Sequence, residues 1–223
     1  MNQPLLQFYV SCAPGIEPIL SDECRKLNLR EEKSESVTSD RSGEDAGGIL
    51  LKGTAVDVYR CNLHLRSASR VSVRMGSFYA VSFAELRKKA SRLDWGNFII
   101  PGQDLNIRTT CHKSRLYHSD AVSERVLGAI NDHFSRLNPN KNDCKPGKNG
   151  QLVLVRLVND LCTISIDSSG ELLHKRGYRL ETAKAPLRET LAAAMLLASG
   201  WEGNLPLIDP FCGSGTIPIE AAL

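Results

Sequence analysis

Several features that would place the chain in a membrane or outside the cell are missing. No apolar run approaches the roughly 18 residues that a membrane-spanning helix needs. Residues 1–29 lack the basic region and apolar core of a signal peptide, and Glu17, Asp22 and Glu23 argue against a transit peptide. The sequence therefore predicts a cytoplasmic protein with no membrane association.

Cysteine pairs are missing as well. The seven cysteines are an odd number, and no two of them form a Cys-x-x-Cys motif. Neither a disulfide framework nor a metal site is expected, so these residues are predicted to be reduced thiols. His112 and His118 are not expected to bind a metal, because no second pair of ligands is spaced to join them.

A strong net charge is the third missing feature. The 223 residues carry a formal charge of only +3, with 42% hydrophobic and 24% charged residues, which is typical of one or two globular domains. Any binding of nucleic acid must therefore come from local basic patches rather than from the field of the whole molecule.

Hydrophobic periodicity gives the order of the elements. It predicts strands at 8–10, 49–51, 71–73, 104–111, 152–158 and 161–166, and helices at 17–27, 56–65, 83–93, 119–137 and 185–199. Residues 31–48 are polar and without periodicity, which predicts a solvated loop. The pattern favours an α/β (α+β) chain, in which an α/β module at about 54–168 follows a smaller N-terminal one.

The last nineteen residues read as strand, glycine loop and helix. An apolar run at 205–208 ends in Asp209, a turn with Gly213 and Gly215 follows, and a helical pattern begins at Thr216, which could cap the helix. This order builds small-molecule sites at the carboxyl end of a parallel strand. An ordinary tight turn is the alternative for a bare Gly-x-Gly.

The residues that are absent from this loop limit its ligand. No lysine follows the first glycine, as a Walker phosphate loop requires, and Pro218 stands where the dinucleotide fingerprint has its third glycine. A loop with an acidic residue and no basic one suits a ligand that lacks phosphates. S-adenosylmethionine, which has a sulfonium and an amino group, fits that description.

The longer string Asp-Pro-Phe-Cys-Gly-Ser-Gly-Thr-Ile-Pro-Ile-Glu-Ala-Ala at 209–222 resembles the first cofactor motif of the THUMP-containing RNA guanine-N2 methyltransferases, in particular the large-subunit rRNA K/L type. The segments Leu-His-Lys-Arg-Gly-Tyr-Arg at 173–179 and Ala-Pro-Leu-Arg-Glu-Thr-Leu-Ala-Ala-Ala at 185–194 resemble that family too. The cofactor motif and the stretch at 173–194 before it stand in the right order, which makes the resemblance specific, and it extends more loosely over almost the whole chain.

The resemblance implies a domain plan. It comprises an N-terminal ferredoxin-like part at 1–53, a THUMP RNA-binding domain at 54–168, a linker at 169–184, and the first strand and helices of a truncated Rossmann-like methyltransferase domain at 185–223. It implies that S-adenosylmethionine is held by Asp209, Pro210, Phe211, Cys212, Gly213, Ser214, Gly215 and Thr216, with Glu189 and Thr190 nearby. The cofactor site is expected to be incomplete in these 223 residues, which lack the groups that would hold the ribose and the adenine.

Two basic segments are candidates for contact with RNA. Lys113, Arg115 and Tyr117 lie in a basic and aromatic loop before a helix, a setting that suits a phosphate backbone or an unpaired base. The alternative is a surface turn with Leu116 or Tyr117 packed inward. Lys175, Arg176 and Arg179 could position RNA near the reaction site, and salt bridging between domains is the alternative there.

The catalytic group of such enzymes is not found. No Asn-Pro-Pro or Asp-Pro-Pro segment occurs in the 223 residues to orient the target amine, so no catalytic residue is predicted and no methyl transfer is expected from the chain alone. The apolar residues of 185–223 are too few for a core of their own. We expect that tail to be marginal or covered by a protein partner or a C-terminal part.

Two functional classes remain open. The chain is either the N-terminal portion of an S-adenosylmethionine-dependent RNA methyltransferase, or an inactive RNA-binding module with a vestigial cofactor loop. Ribosomal RNA is favoured as the substrate, and a tRNA guanine methyltransferase relative is a third reading. Nothing in the sequence identifies a particular nucleotide.

Overall fold

The computed structural model describes residues 4–32, 47–140, 142–178 and 187–223. The chain divides into two compact units, of which the first joins Met1–Val71 to Glu171–Leu223 and the second is Ser72–Gly170. In chain order the elements are β1 (Leu6–Ser11), α1 (Glu17–Lys26), β2 (Arg30–Glu31), β3 (Gly48–Gly53), α2 (Ala55–His64), β4 (Arg70–Tyr79), α3 (Phe83–Ala90), β5 (Asp104–His112), α4 (Ser119–Leu137), β6 (Lys145–Pro146), β7 (Gln151–Val158), β8 (Leu161–Asp167), α5 (Glu189–Ala198) and α6 (Thr216–Ala222).

The first unit begins with a small antiparallel sheet in the order β2-β3-β1. Phe8 and Val10 of β1 and Leu51 of β3 are buried, as the alternation of a half-buried strand requires. The helix α2 begins with a capping box, in which the backbone N–H of Thr54 donates to Oδ2 of Asp57 at 2.8 Å. That hydrogen bond holds the pKa of Asp57 below its usual range.

The second unit contains the strand order β4-β8-β7-β5-β6. The strands β4, β8 and β7 pair antiparallel, whereas β5 pairs in parallel with both β7 and β6. The helices α3 and α4 pack on one another, and their apolar faces share a core with the strands. Trp95 is fully buried there, and its indole N–H donates to the carbonyl of Ala90 at 2.8 Å.

The predicted α/β organisation is confirmed, and so is each predicted strand from 8–10 to 161–166 at bounds within a few residues, apart from β4, which runs on to Tyr79. The hairpin between β7 and β8 turns at Asn159 and Asp160, which both have positive φ. Most of the predicted loop at 31–48 lies outside the described residues. None of the described helices has the length and apolarity that crossing a membrane requires.

One predicted element is wrong. Residues 205–208 were expected to be the first strand of the methyltransferase sheet, but they form no strand, and Ile208 is 84% exposed. A strand is stable only when a neighbour satisfies its backbone N–H and C=O groups. Among the described residues no strand lies beside this run, so its apolar side chains remain at the surface.

Candidate cofactor loop and RNA-facing residues

The glycine loop is a sequence of tight turns at the surface. Gly213 and Gly215 have φ values of +51° and +74°, a region that side chains other than glycine rarely adopt. The N–H of Gly215 donates to the carbonyl of Cys212 at 2.7 Å. The N–H of Phe211 donates to Oδ1 of Asp209 at 3.1 Å, so the carboxylate also closes its own turn.

The loop joins α6 at Thr216. The prediction that this helix begins at Thr216 is confirmed, but the prediction that Thr216 caps it is wrong, because Gly215 occupies the N-cap position. Thr216 is the first helical residue and is buried, and its hydroxyl lies 3.2 Å from that of Ser214. The side chain therefore faces inward and helps to fix the turn.

The remaining residues that were predicted to bind cofactor are divided between exposed and buried positions. Pro210, Phe211, Cys212, Gly213 and Ser214 are exposed. Glu189 and Thr190 are buried at the start of α5, which packs against α6. The structure thus brings the two motifs of the resemblance together through the packing of α5 on α6. The glycine loop before α6 is exposed, whereas Glu189 and Thr190 at the start of α5 are buried.

The chemistry of this loop suits part of an S-adenosylmethionine molecule. Residues 205–220 contain no lysine, arginine or histidine, whereas Asp209 offers a carboxylate and Ser214 a hydroxyl. A cofactor that is cationic and has no phosphate requires hydrogen-bond acceptors rather than basic side chains. The two glycines also leave the backbone of the loop open to close approach.

Glu220 of α6 is a buried polar residue near this loop with several hydrogen-bond donors around its carboxylate. Its side chain is fully buried, and its Oε2 accepts from Nη1 of Arg176 at 2.8 Å and from Nη2 of Arg66 at 3.1 Å. Its Oε1 accepts from the phenol of Tyr178 at 2.9 Å. Burial and this hydrogen bond to Glu220 raise the pKa of Tyr178 to about 12.

The three basic residues around Gly177 have different positions. Arg176 is bonded to Glu220 and donates through Nη2 to the carbonyl of Arg66 at 2.7 Å. Lys175 is exposed, and its Nζ lies 3.4 Å from Oε1 of Glu171. Arg179 lies outside the described residues.

The other basic segment follows β5. Leu116 is buried in the core, which holds the loop down, whereas Tyr117 is 68% exposed and its ring lies 4.1 Å from that of His118. Lys113 is exposed and has a positive φ of 46°. The arrangement directs a cation and an aromatic ring to solvent from an anchored turn.

This turn is tied to the β7–β8 hairpin through Asp160. The backbone N–H of Arg115 donates to Oδ1 of Asp160 at 2.7 Å, and the N–H of Asp160 donates to the hydroxyl of Ser114 at 3.0 Å. The side chain of Arg115 is 74% exposed, with its Nε 3.9 Å from Asp160. The guanidinium therefore remains accessible to a phosphate.

Sequence reasoning missed the roles of Glu220 and Arg66. The spacing of Thr216 and Glu220 was the available signal, because residues four apart share one face of a helix and Thr216 faces inward. No sequence pattern could have indicated Arg66, since it lies 154 residues from Glu220.

Three protein-family descriptions match the chain. The RlmL ferredoxin-like domain matches residues 7–72, the THUMP domain residues 80–167, and the RMKL-like methyltransferase domain residues 176–223. Residues 54–71, which the sequence-based plan assigns to THUMP, lie within the first of these matches and in the first unit of the structure.

Curated relatives match over nearly the whole chain. "Putative RNA methyltransferase YpsC" of Bacillus subtilis is 36% identical over 216 residues, which cover 96% of this chain and 53% of the relative. "Ribosomal RNA large subunit methyltransferase K/L" of Vibrio cholerae is 33% identical over 217 residues, which cover 97% of this chain and 29% of the relative. The chain thus spans about half of the shorter relative and less than a third of the longer one.

Solved structures give the same match. "Crystal structure of a predicted N6-adenine-specific DNA methylase from Listeria monocytogenes str. 4b F2365" superposes with a TM-score of 0.87 at 33% identity, covering 99% of this chain and 55% of that one. "Crystal structure of SMU.472, a putative methyltransferase complexed with SAH" superposes with a TM-score of 0.84 at 30% identity, covering 100% of this chain and 56% of that one.

A ferredoxin-like part, a THUMP domain and the beginning of a methyltransferase domain define a protein of the THUMP-containing methyltransferase class. Within that class the chain resembles part of the RNA methyltransferases of the large-subunit rRNA K/L type, and it spans about 30% of the length of those longer proteins.

Proposed function

We propose that the chain is the RNA-binding half and the first cofactor motif of an S-adenosylmethionine-dependent guanine-N2 methyltransferase that acts on large-subunit rRNA. The observation that carries this proposal is the glycine loop at Asp209–Thr216, which is free of basic residues and follows a THUMP domain in one chain. The complex of a similar structure with SAH, the demethylated form of S-adenosylmethionine, supports the cofactor.

The cofactor would contribute an electrophilic methyl group on a sulfonium. The residues that we propose to hold it are Asp209 and Ser214, through their oxygens, and the backbone of Gly213 and Gly215, which can approach it closely. The 223 residues contain no Asn/Asp-Pro-Pro-aromatic segment for orienting a target amine. The chain on its own is therefore proposed to bind RNA without transferring a methyl group.

The proposed RNA contacts are Lys113, Arg115 and Tyr117, with Lys175 as a further phosphate contact. Lys113, Arg115 and Tyr117 lie on one anchored turn with their side chains exposed. The cations suit phosphates, and the ring suits an unpaired base, for which stacking contributes about 1–3 kcal/mol. One similar protein is named as an RNA methyltransferase and another as a DNA methylase, so the class of nucleic acid has to be part of the test.

The test compares binding of the purified chain to structured fragments of large-subunit rRNA, to tRNA and to duplex DNA, together with labelled methyl transfer. We expect preferential binding of the rRNA fragments and no transfer. Preference for tRNA or DNA would overturn the proposed substrate, and methyl transfer by the chain would overturn the proposed division of roles.

Variants locate the RNA surface. Lys113→Ala, Arg115→Ala and Tyr117→Ala are each expected to weaken binding about three- to tenfold, because each removes one phosphate or base contact. Arg25→Ala is the matched control, since Arg25 is an exposed arginine of α1 whose side chain pairs with Asp22. Equal losses in the control and the three variants would remove the basic turn from the interface.

A further inference from the structure

A fully buried carboxylate lies one helical turn beyond the cofactor loop. Glu220 and Thr216 are the buried residues of α6, and they are four apart on its inward face. Carboxylates are rarely buried unless they are paired, because burial removes the water that stabilises their charge. The contacts that compensate for this loss therefore show what the helix is attached to.

Those contacts come from two distant parts of the first unit. Arg66 follows α2, and it donates from Nη2 to both Oε2 and the backbone carbonyl of Glu220. Arg176 and Tyr178 approach from the segment before α5 and bond Oε2 and Oε1. Both carboxylate oxygens are thus engaged by charged or polar donors, the strongest kind of hydrogen bonding available to them.

Arg66 is itself held by a second buried carboxylate. Glu23 of α1 accepts from the backbone N–H of Arg66 through Oε1 and from that of Ser67 through Oε2, both at 2.9 Å. The hydroxyl of Ser67 also donates to Oε2 of Glu23. The segment between α2 and β4 is therefore fixed to the ferredoxin-like part on one side and to α6 on the other.

The cofactor loop has few other attachments. Phe211 is 93% exposed, and the loop residues on either side of it are also exposed. Its geometry must therefore follow the position of α6, to which it is joined at Gly215. Besides the packing of α5 on α6, the contacts of Glu220 attach α6 to Arg66 and to the segment at 176–178.

We propose that Glu220 is a positioning residue through which the ferredoxin-like part of the chain holds the cofactor loop in place. Arg66 is the link on the ferredoxin-like side, and Arg176 and Tyr178 complete the cluster. The inference rests on the proposed function in one respect, that the loop at Asp209–Thr216 is the cofactor site. It also assigns Arg176 to this cluster rather than to RNA, because its guanidinium is bonded to Glu220 and to the carbonyl of Arg66.

A residue that only stabilises the fold would behave differently from a positioning residue. Loss of general stability would increase amide exchange throughout the first unit, including β1 and β3. Loss of positioning would increase exchange in the loop and α6 while leaving β1 and β3 unchanged. The distribution of the change, rather than its size, separates the two roles.

The experiment is hydrogen exchange on the 223-residue chain, comparing wild type, Glu220→Gln and the control Glu202→Gln, which changes an exposed carboxyl in the same tail. Titration with SAH accompanies it. We expect Glu220→Gln to increase exchange at 211–219 by about tenfold, with β1, β3 and the Glu202→Gln variant unchanged. If the wild type binds SAH, the affinity of Glu220→Gln should fall by a similar factor.

The outcomes separate the two proposals. A wild type that does not bind SAH contradicts the cofactor role of the loop in this chain, whereas the exchange pattern still decides whether Glu220 positions it. Unchanged exchange at 211–219, or a uniform increase across the first unit, overturns the inference. If Glu220→Gln does not fold, Tyr178→Phe removes a single hydrogen bond and must give the same local pattern in weaker form, or the inference fails.

Discussion

At the scale of single residues, the contacts of the buried polar groups were the feature that the sequence did not predict. Glu220 reads in the sequence as an acidic residue near the start of a helix, and the structure places it fully buried among Arg66, Arg176 and Tyr178. Its partners come from other segments of the chain. Local patterns record which residues are apolar, whereas the pairing of a buried charge depends on tertiary contacts.

The pKa of Tyr178 reports on the contacts of this cluster. Its phenol is expected to titrate near pH 12, because burial and the bond to Glu220 favour the neutral form. Because this folded pKa is above the ordinary tyrosine value of about 10, the associated stability is complete below pH 10 and is lost as pH rises through about 12. Magnetic resonance of ring-labelled tyrosine, with Tyr178→Phe to assign the signal, measures the pKa.

The same titration in Glu220→Gln tests the cause. Removal of the neighbouring negative charge should lower the pKa of Tyr178 toward its ordinary value. An unchanged titration in that variant would mean that burial alone sets the pKa and that the hydrogen bond contributes little.

The loop glycines make a second prediction at this scale. Alanine at Gly213 or Gly215 would occupy a left-handed conformation, which costs about 1–2 kcal/mol per residue. The cost is conformational, since the nearest atom to an added Cβ at either position lies at 3.8 Å. Denaturant unfolding should therefore show a loss of about that size for Gly213→Ala and Gly215→Ala.

Gly96→Ala is the matched control, because an added Cβ meets open space and the backbone does not require glycine. It should leave the free energy of unfolding nearly unchanged. A loop variant as stable as this control would indicate that the turn relaxes at little cost.

At the scale of elements, the sequence predicted the second unit well for a physical reason. Residues 152–158 and 161–166 are rich in β-branched and apolar residues, and the short Asn159–Asp160 turn sets their register. These two strands pair with each other directly across that turn. Residues 205–208 have a similar apolar pattern but no neighbouring strand among the described residues, so the same reasoning failed there.

The tail should therefore be the less protected part of the structure. The buried side chains of α5 are mostly small, Ala192, Ala193 and Ala194 among them, and those of β7 and β8 are larger. Burial of a Val, Leu or Ile contributes about 1.5–3 kcal/mol, and alanine contributes much less. Hydrogen exchange should be faster in α5 than in the β7–β8 hairpin of the same sample, and equal protection would contradict this expectation.

At the scale of the whole molecule, the chain does not divide in sequence order. The first unit joins the N-terminal stretch to the C-terminal tail, and the second is inserted between them. The sequence-based plan, with four consecutive segments, could anticipate the order of the motifs but not that the two ends of the chain form one unit. That association depends on contacts such as that of Arg66 with Glu220, which no local pattern encodes.

The proposed division of roles follows from that arrangement. The second unit carries the exposed basic turn at 113–117, and the first unit carries the glycine loop. The RNA contacts of the basic turn and the cofactor contacts are therefore assigned to different units, and Lys175 is a further proposed phosphate contact in the unit that carries the glycine loop. Substitutions in the basic turn should affect RNA affinity, and substitutions around Glu220 should affect the loop.

The most direct test of the account is the affinity of the purified chain for a structured fragment of large-subunit rRNA across a series of salt concentrations. With a few phosphate contacts, the logarithm of the affinity should fall linearly with the logarithm of the salt concentration, and the slope should decrease by about one for Arg115→Ala. No binding at low salt, or an affinity that does not change with salt, would contradict the claim that this chain is the RNA-binding half of a methyltransferase.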